Sequence, residues 1–301
     1  MAIYAQVYRE YAGSRRGRLS RWWAFVSGEL GLVLRHRGLF WISLFVAVLF
    51  FARLTQMWLV ANQSDILKFV TQMERYQHHA SVSARTYLGF MTNMQFYVFL
   101  LAAVVGGSLI ARDQAAGAVP LYFSRPLSRW GYISARFLQL AAALSLVSLV
   151  PGLLLYFGYS LVTSDWEHLW RDREVAGGIV VVSVIYITSA ALPMLALSCV
   201  CGGGRLAGAA FAMFYLFGWM MVGFFRAVPW RGGGEIWTRF EHYCSLLSLP
   251  LNWYQISEAF FGEKYLLLDT PWTWSLYALA GLSALSFLVL WTRLRPVEVV
   301  R

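Results

Sequence analysis

The sequence predicts an all-α membrane protein with six transmembrane helices, and three observations carry that prediction. Of the 301 residues, 59% are hydrophobic and only 13% charged, whereas soluble domains average about 25% charged. Apolar stretches close to the roughly 20 residues that a helix needs to cross a bilayer recur along the chain. Basic residues gather in the short segments beside those stretches, and the 14 Trp and 16 Tyr suit the two membrane interfaces. Hydrocarbon offers no partner to an open backbone amide, so the spans are helices rather than free strands. A single domain is expected, with residues 1–37 as a leader and residues 38–301 as the six-helix body.

The leader comes first. From Leu19 to Leu39 it mixes Trp22, Trp23, Phe25 and Val26 with Arg21, Glu29, Arg35 and Arg37. That mixture reads as an amphipathic helix on the inner interface, or alternatively as a helix packed on a soluble neighbour. No small-residue cleavage pattern follows the first apolar run, so that run is expected to be retained as a span. The six spans are placed at Leu39–Val60, Asn93–Ala111, Phe137–Ser160, Val175–Val200, Leu206–Phe225 and Trp272–Thr292. Arg53 interrupts the first, about 21 Å along a helix from Leu39. Its side chain either snorkels outward or meets an anionic group in a wet cavity. Between the first two spans, Ile66, Phe69, Val70 and Met73 keep helical spacing over Ser64–His79. Pro151-Gly152 and Pro193 predict kinks in the third and fourth spans. Gly204, Gly208 and Ala212 give the fifth a small-residue face for close helix packing. Phe211, Phe214 and Tyr215 follow it. The stretch His242–Gly262 is apolar but broken by Pro250 and Asn252, which suggests a re-entrant pair of helices dipping into the outer leaflet.

Charge fixes the expected sidedness. With both termini inside, the inner segments hold 15 basic residues in 76 positions and the outer segments 9 in 92. This is the positive-inside pattern, and it accounts for the net charge of +10 without a nucleic-acid partner. Spans two to six contain no Asp, Glu, Lys or Arg, and no span core contains His. Coupling to protons or sodium generally uses such groups, so energy for transport is expected from elsewhere. Cys199 and Cys201 lack the nearby His that would complete a zinc set, and no metal site is expected. The chain has no G-x-x-x-x-G-K-[ST], and Gly202-Gly203-Gly204 reads as a tight turn rather than a phosphate cradle. The spans also lack polar catalytic residues, so the chain is not expected to be an enzyme.

One polar segment remains between spans two and three: Ala111–Phe137, ARDQAAGAVPLYFSRPLSRWGYISARF. It carries Arg112-Asp113, Gly117-Ala118, then Arg125-Pro126-Leu127-Ser128-Arg129 and Trp130. This segment, with the topology, resembles the ABC-2-type permeases, the membrane subunits of ABC exporters. In that family an acidic residue, a Gly-Thr pair and an Arg-Pro-Ile-Ser-Arg-aromatic run form a coupling helix. Here Asp113 stands for the usual Glu and Ala118 for Thr. The resemblance implies that Arg112, Asp113, Gly117, Arg125, Pro126, Ser128 and Arg129 receive a separate ABC ATPase. The same arginines would also suit anionic lipid headgroups. ATP and Mg²⁺ would be held by that ATPase, with no cofactor in this chain. Further implied partners are a second permease copy, membrane lipid and a periplasmic or accessory subunit. Arg53, Phe96, Phe99, Phe211, Phe214 and Tyr215 become candidates for a translocation path. The implied location is the bacterial inner membrane. A scaffold that recruits an ATPase without transporting anything would use the same segment.

Overall fold

The computed structural model describes residues 17–62, 84–124, 128–227, 243–262 and 271–294. All regular structure among them is helical. Five stretches are long and apolar enough to cross a membrane: Arg37–Leu59, Ala84–Ala115, Arg129–Thr163, Arg173–Val200 and Trp272–Arg293. The chain is a multi-pass, all-α integral membrane protein. The remaining expected span, Leu206–Phe225, lies within a 24-residue helix, Gly204–Ala227. Two expectations fall outside the described residues: the helix over Ser64–His79, and the backbone at Arg125-Pro126-Leu127.

Helix α1 (Arg18–Leu34) buries Val26 and Val33 and half-buries Trp22, Phe25 and Glu29. These lie on one stripe at helical spacing, while Leu19, Trp23 and Leu32, outside its centre, stay exposed. Helix α2 (Arg37–Asn62) buries Leu39, Ile42, Val46 and Met57 and leaves Phe40, Trp41, Phe45 and Phe51 exposed. Apolar residues all round a helix of this kind suit hydrocarbon surroundings.

Helix α3 (Ala84–Ala115) starts nine residues before the expected Asn93 and runs past Ala111. Its first turns are held by buried Tyr87, Leu88, Phe90 and Met91. Gln95, which lowers local hydropathy, donates to the buried Tyr186 hydroxyl at 2.8 Å. The helix widens into a π turn over Ala102–Gly106. It stops at Gly117, whose φ of +63° a residue with a side chain adopts only with strain. The Gly117 N–H donates to Gln114 O in the manner of a left-handed helix cap. A short helix α4 (Ala118–Ser124) follows, with Pro120 in its first turn.

The third expected span is two helices, α5 (Arg129–Ser145) and α6 (Leu149–Thr163), joined by a turn at Leu146–Ser148. The cause is Pro151. A proline ring clashes with the carbonyl four residues earlier, and that carbonyl belongs to Val147. The break therefore precedes the Pro-Gly pair. Helix α5 begins at Arg129, eight residues earlier than Phe137.

After the one-turn α7 (His168–Arg171), helix α8 (Arg173–Val200) is continuous through Pro193. It is the hub, packed against α3, α5, α6, α9 (Gly204–Ala227), α10 (Leu249–Phe260) and α11 (Trp272–Arg293). Lipid tails are as apolar as leucine, so close fit rather than escape from water holds such helices together. A Cβ at Gly152 would sit 2.7 Å from Ile179 Cγ2, which shows how near α6 approaches α8. In the 243–262 stretch the helical turn 243–246 ends at Leu247-Ser248, ahead of Pro250. Pro250 lies in the first turn of α10, where a missing N–H costs nothing.

Candidate functional site

The polar segment lies at one end of the bundle, where α1, the end of α3, α4 and the start of α5 meet. Its centre is the Arg136 guanidinium, 1% exposed. Arg136 pairs with Asp113 Oδ2. It donates to Glu29 Oε2 at 3.0 Å and to Gln139 Oε1 at 3.0 Å. Tyr132 donates to the same Asp113 oxygen at 2.5 Å. The Phe25 and Tyr132 rings lie 5.3 and 5.5 Å from the guanidinium carbon, in cation–π range. A second tie is Trp22, whose Nε1–H lies 3.1 Å from both Gly131 O and Ser134 Oγ. Helices α1, α3 and α5 are thus riveted together by one ionic cluster.

This changes the part assigned to Asp113. At 8% exposure and bound to Arg136 and Tyr132, it is an internal anchor and not a steering charge for a partner. Arg112, next to it, is exposed. Gly117 and α4 project beyond the cluster, with Leu121 66% exposed. Tyr122 lies 5.2 Å from Phe25, edge to face. Burial, with Asp113 nearby, raises its hydroxyl pKa. Ser128 caps α5 by accepting from the Gly131 N–H at 3.1 Å. Arg129 lies 5.6 Å from the Trp291 ring, and Trp130 packs on Phe287 and Trp291 of α11. Arg129 is thereby tied to the last helix. Arg125 and Pro126 lie outside the described residues.

Tyr132, Arg136 and Gln139 were not singled out by the sequence, and Glu29 only as part of the amphipathic leader. A signal was there: Tyr132, Arg136 and Gln139 stand at i, i+4 and i+7 and give α5 one polar face. Counting Arg136 among the loop basic residues hid it.

The candidate path residues do not share one open space. Phe99 stacks on Tyr215, centroids 3.9 Å apart and planes at 10°, with Phe211 at 5.7 Å from Phe99. Tyr215 and Tyr186 flank the buried Trp253, which donates to Ser189 Oγ at 2.7 Å. These rings form a packed core within the chain. Phe96 is half exposed at its edge. Phe214 lines a separate cavity. Arg53 lies elsewhere, donating to Gln56 Oε1 at 2.7 Å and Thr86 O at 3.0 Å. It reaches toward the Ala84 end of α3, the geometry of a snorkelling side chain.

Gly204 and Gly208 set the crossing of α9 with α3. A Cβ at Gly107 would lie 2.5 Å from Gly204 O, and one at Gly208 would lie 2.8 Å from Ala103 O. Ala212, one turn further on, packs against the core beside Phe211. Nearby, the Ser198 hydroxyl donates to Gly107 O at 2.7 Å and accepts from the Ile110 and Ala111 N–H groups at 3.1 and 3.0 Å. It serves the backbone just after the π turn.

At the other end of α3 a second polar knot joins Tyr87, His168 and Asp172. His168 Nδ1 lies 2.7 Å from Asp172 Oδ2 and its Nε2 lies 3.3 Å from Tyr87 Oη, within a box that Tyr156 and Tyr159 complete. Among the described residues no three His, Cys, Asp or Glu side chains converge as metal ligands. No protein-family model matches the chain, and no characterised protein matches it either.

Proposed function

We propose that the chain is the permease subunit of an ATP-driven exporter, coupled to a separate ATPase through Arg112, the Gly117 turn and α4. The observation that carries this reading is α4, exposed at Pro120 and Leu121, standing on the Asp113–Arg136–Glu29 rivet. A push on a flexible loop is dissipated, whereas a push on α4 moves α1, α3 and α5 as one body. Arg112 supplies a charge for steering, and exposed Leu121 supplies an apolar contact at the centre of the docking surface. ATP and Mg²⁺ belong to the partner, and this chain is a transport subunit rather than an enzyme. Counting Gly204–Ala227 as a span gives six, with both termini cytoplasmic in a bacterial inner membrane.

Among the described residues Phe99, Phe211, Tyr215 and Trp253 pack into a core rather than line an opening, and in this reading cargo passes between two copies, aided by whatever accessory subunit delivers it. The same closed core also suits a scaffold that recruits an ATPase without flux. Co-purification of the full chain with the ATPase tests the docking surface. Arg112→Glu and Leu121→Asp should abolish retention of the ATPase while membrane insertion persists. Unchanged retention in both variants defeats the coupling reading. Retention without ATP-dependent efflux from vesicles selects the scaffold.

A further inference from the structure

A cavity of about 330 Å³ opens on the side of the bundle between α9, the stretch from 243 to 252 and α11. That volume is within the range of pockets that hold small ligands. Phe214, Leu249, Leu279 and Leu282 line it, and Leu247 and Leu285 are lining residues that stay more than 60% exposed. The apolar lining therefore runs out onto the lipid-facing surface of α11. Two polar side chains reach it. Tyr243 is an exposed lining residue. Asn252 is 1% exposed, and its Nδ2–H groups are both spent, on Leu246 O at 2.8 Å and Ser248 O at 2.9 Å. Among the described residues no cation or carboxylate lines the cavity. Gly281 is also part of the wall, and a Cβ placed there meets nothing within 4 Å.

We infer that this cavity binds an acyl chain of a membrane lipid, entering laterally between α9 and α11. Among the described lining residues an aqueous ligand would find no charge and, apart from one tyrosine hydroxyl and the Asn252 amide, no polar partner. An alkyl chain already lies against Leu247 and Leu285 in a bilayer and needs no transfer from water. The missing side chain at Gly281 keeps the space open in a helix otherwise crowded with Leu, Phe and Trp. This inference rests on the membrane reading alone and is independent of docking by an ATPase.

The test uses the full chain in phosphatidylethanolamine vesicles doped with the same lipid carrying a diazirine in one acyl chain. Photolysis should label peptides containing Phe214 and Leu279–Leu285 in preference to the exposed face of α2. Gly281→Phe, which fills the cavity, should lower that label about tenfold, in the range one or two methylenes are worth in an apolar pocket. Ala280→Phe, exposed on the same helix and turned away from the lining residues, should leave it unchanged. Phe214→Ala gives a second reading that does not depend on the folding of the filled variant: by enlarging the cavity it should keep or raise the label. Equal labelling of all lipid-facing helices, label unaffected by Gly281→Phe, or label obtained only from a free fatty-acid probe would each overturn the proposal.

Discussion

At the scale of single residues, Arg136 matters most to the integrity of the docking end. It is buried against the buried Asp113 and the half-buried Glu29, and removing one member of a buried ionic pair costs about 3–5 kcal/mol because the other stays buried and unpaired. Arg136→Met should therefore cost about that much in detergent-solubilised unfolding, whereas Arg112→Ala on the exposed neighbour should be silent. Adding Asp113→Asn to Arg136→Met should recover part of the loss, since the stranded charge disappears, and a double-mutant cycle measures the coupling. Glu258, in α10, makes a different prediction. It is 7% exposed, and burial raises its carboxyl from near 4.5 to about 7. Below about pH 4.5 the group is protonated whether the protein is folded or not. As pH rises toward 7 the unfolded chain has released the proton and the folded one still holds it, so stability falls across that window and levels off above it. Glu258→Gln should flatten this slope in melting curves taken across the window.

At the scale of elements, the crossing of α3 with α9 depends on the absence of side chains. Gly107 meets Gly204 O and Gly208 meets Ala103 O too closely for a Cβ. Gly208→Val should force the helices apart and sharply reduce the yield of monodisperse protein in size-exclusion chromatography. Gly223→Ala, in the same helix with nothing near, should not. Ser198→Ala leaves the Ile110 and Ala111 amides competing for fewer acceptors, at about 1–3 kcal/mol. Hydrogen exchange at those amides reports the loss. Most of the helices were legible in the sequence because each apolar run outlasts the hydrocarbon thickness. Their ends were less so. Asp113 and Arg136 read as polar and set the expected boundaries at Ala111 and Phe137, yet each is bonded to a partner distant in sequence. Hydropathy records the cost of burying such groups and has no access to the bond that offsets it.

At the scale of the whole molecule, α3 shows an unusual outer surface. Asn93 is exposed in mid-helix beside half-exposed Phe96, with Val104 further along the same stripe. A bare carboxamide facing lipid tails is unfavourable, and a second copy packed on this stripe would relieve it. Asn93→Cys, in a background without Cys199, Cys201 and Cys244, should cross-link two copies on mild oxidation, read as a dimer band; a monomer under all conditions would place the contact elsewhere. The chain's own sequence located the docking segment as a polar interval between spans. It could not show that Asp113 faces inward, because that follows from where Glu29 and Arg136 come to rest, 84 and 23 positions away. Nor could it show that the aromatic residues of α9 close on Phe99 and Trp253, since packing and lining have the same composition.

The π turn at Ala102–Gly106 has a consequence for the phase of α3. One residue more than an α turn sits there, and each residue of an α-helix advances the azimuth by about 100°. The turn thus dials the lower third of α3 so that Asp113 points at Arg136 and Arg112 points away. Deleting Ala103 would restore an uninterrupted α-helix and yet rotate that lower third out of phase, aiming Arg112 and Asp113 at the wrong neighbours.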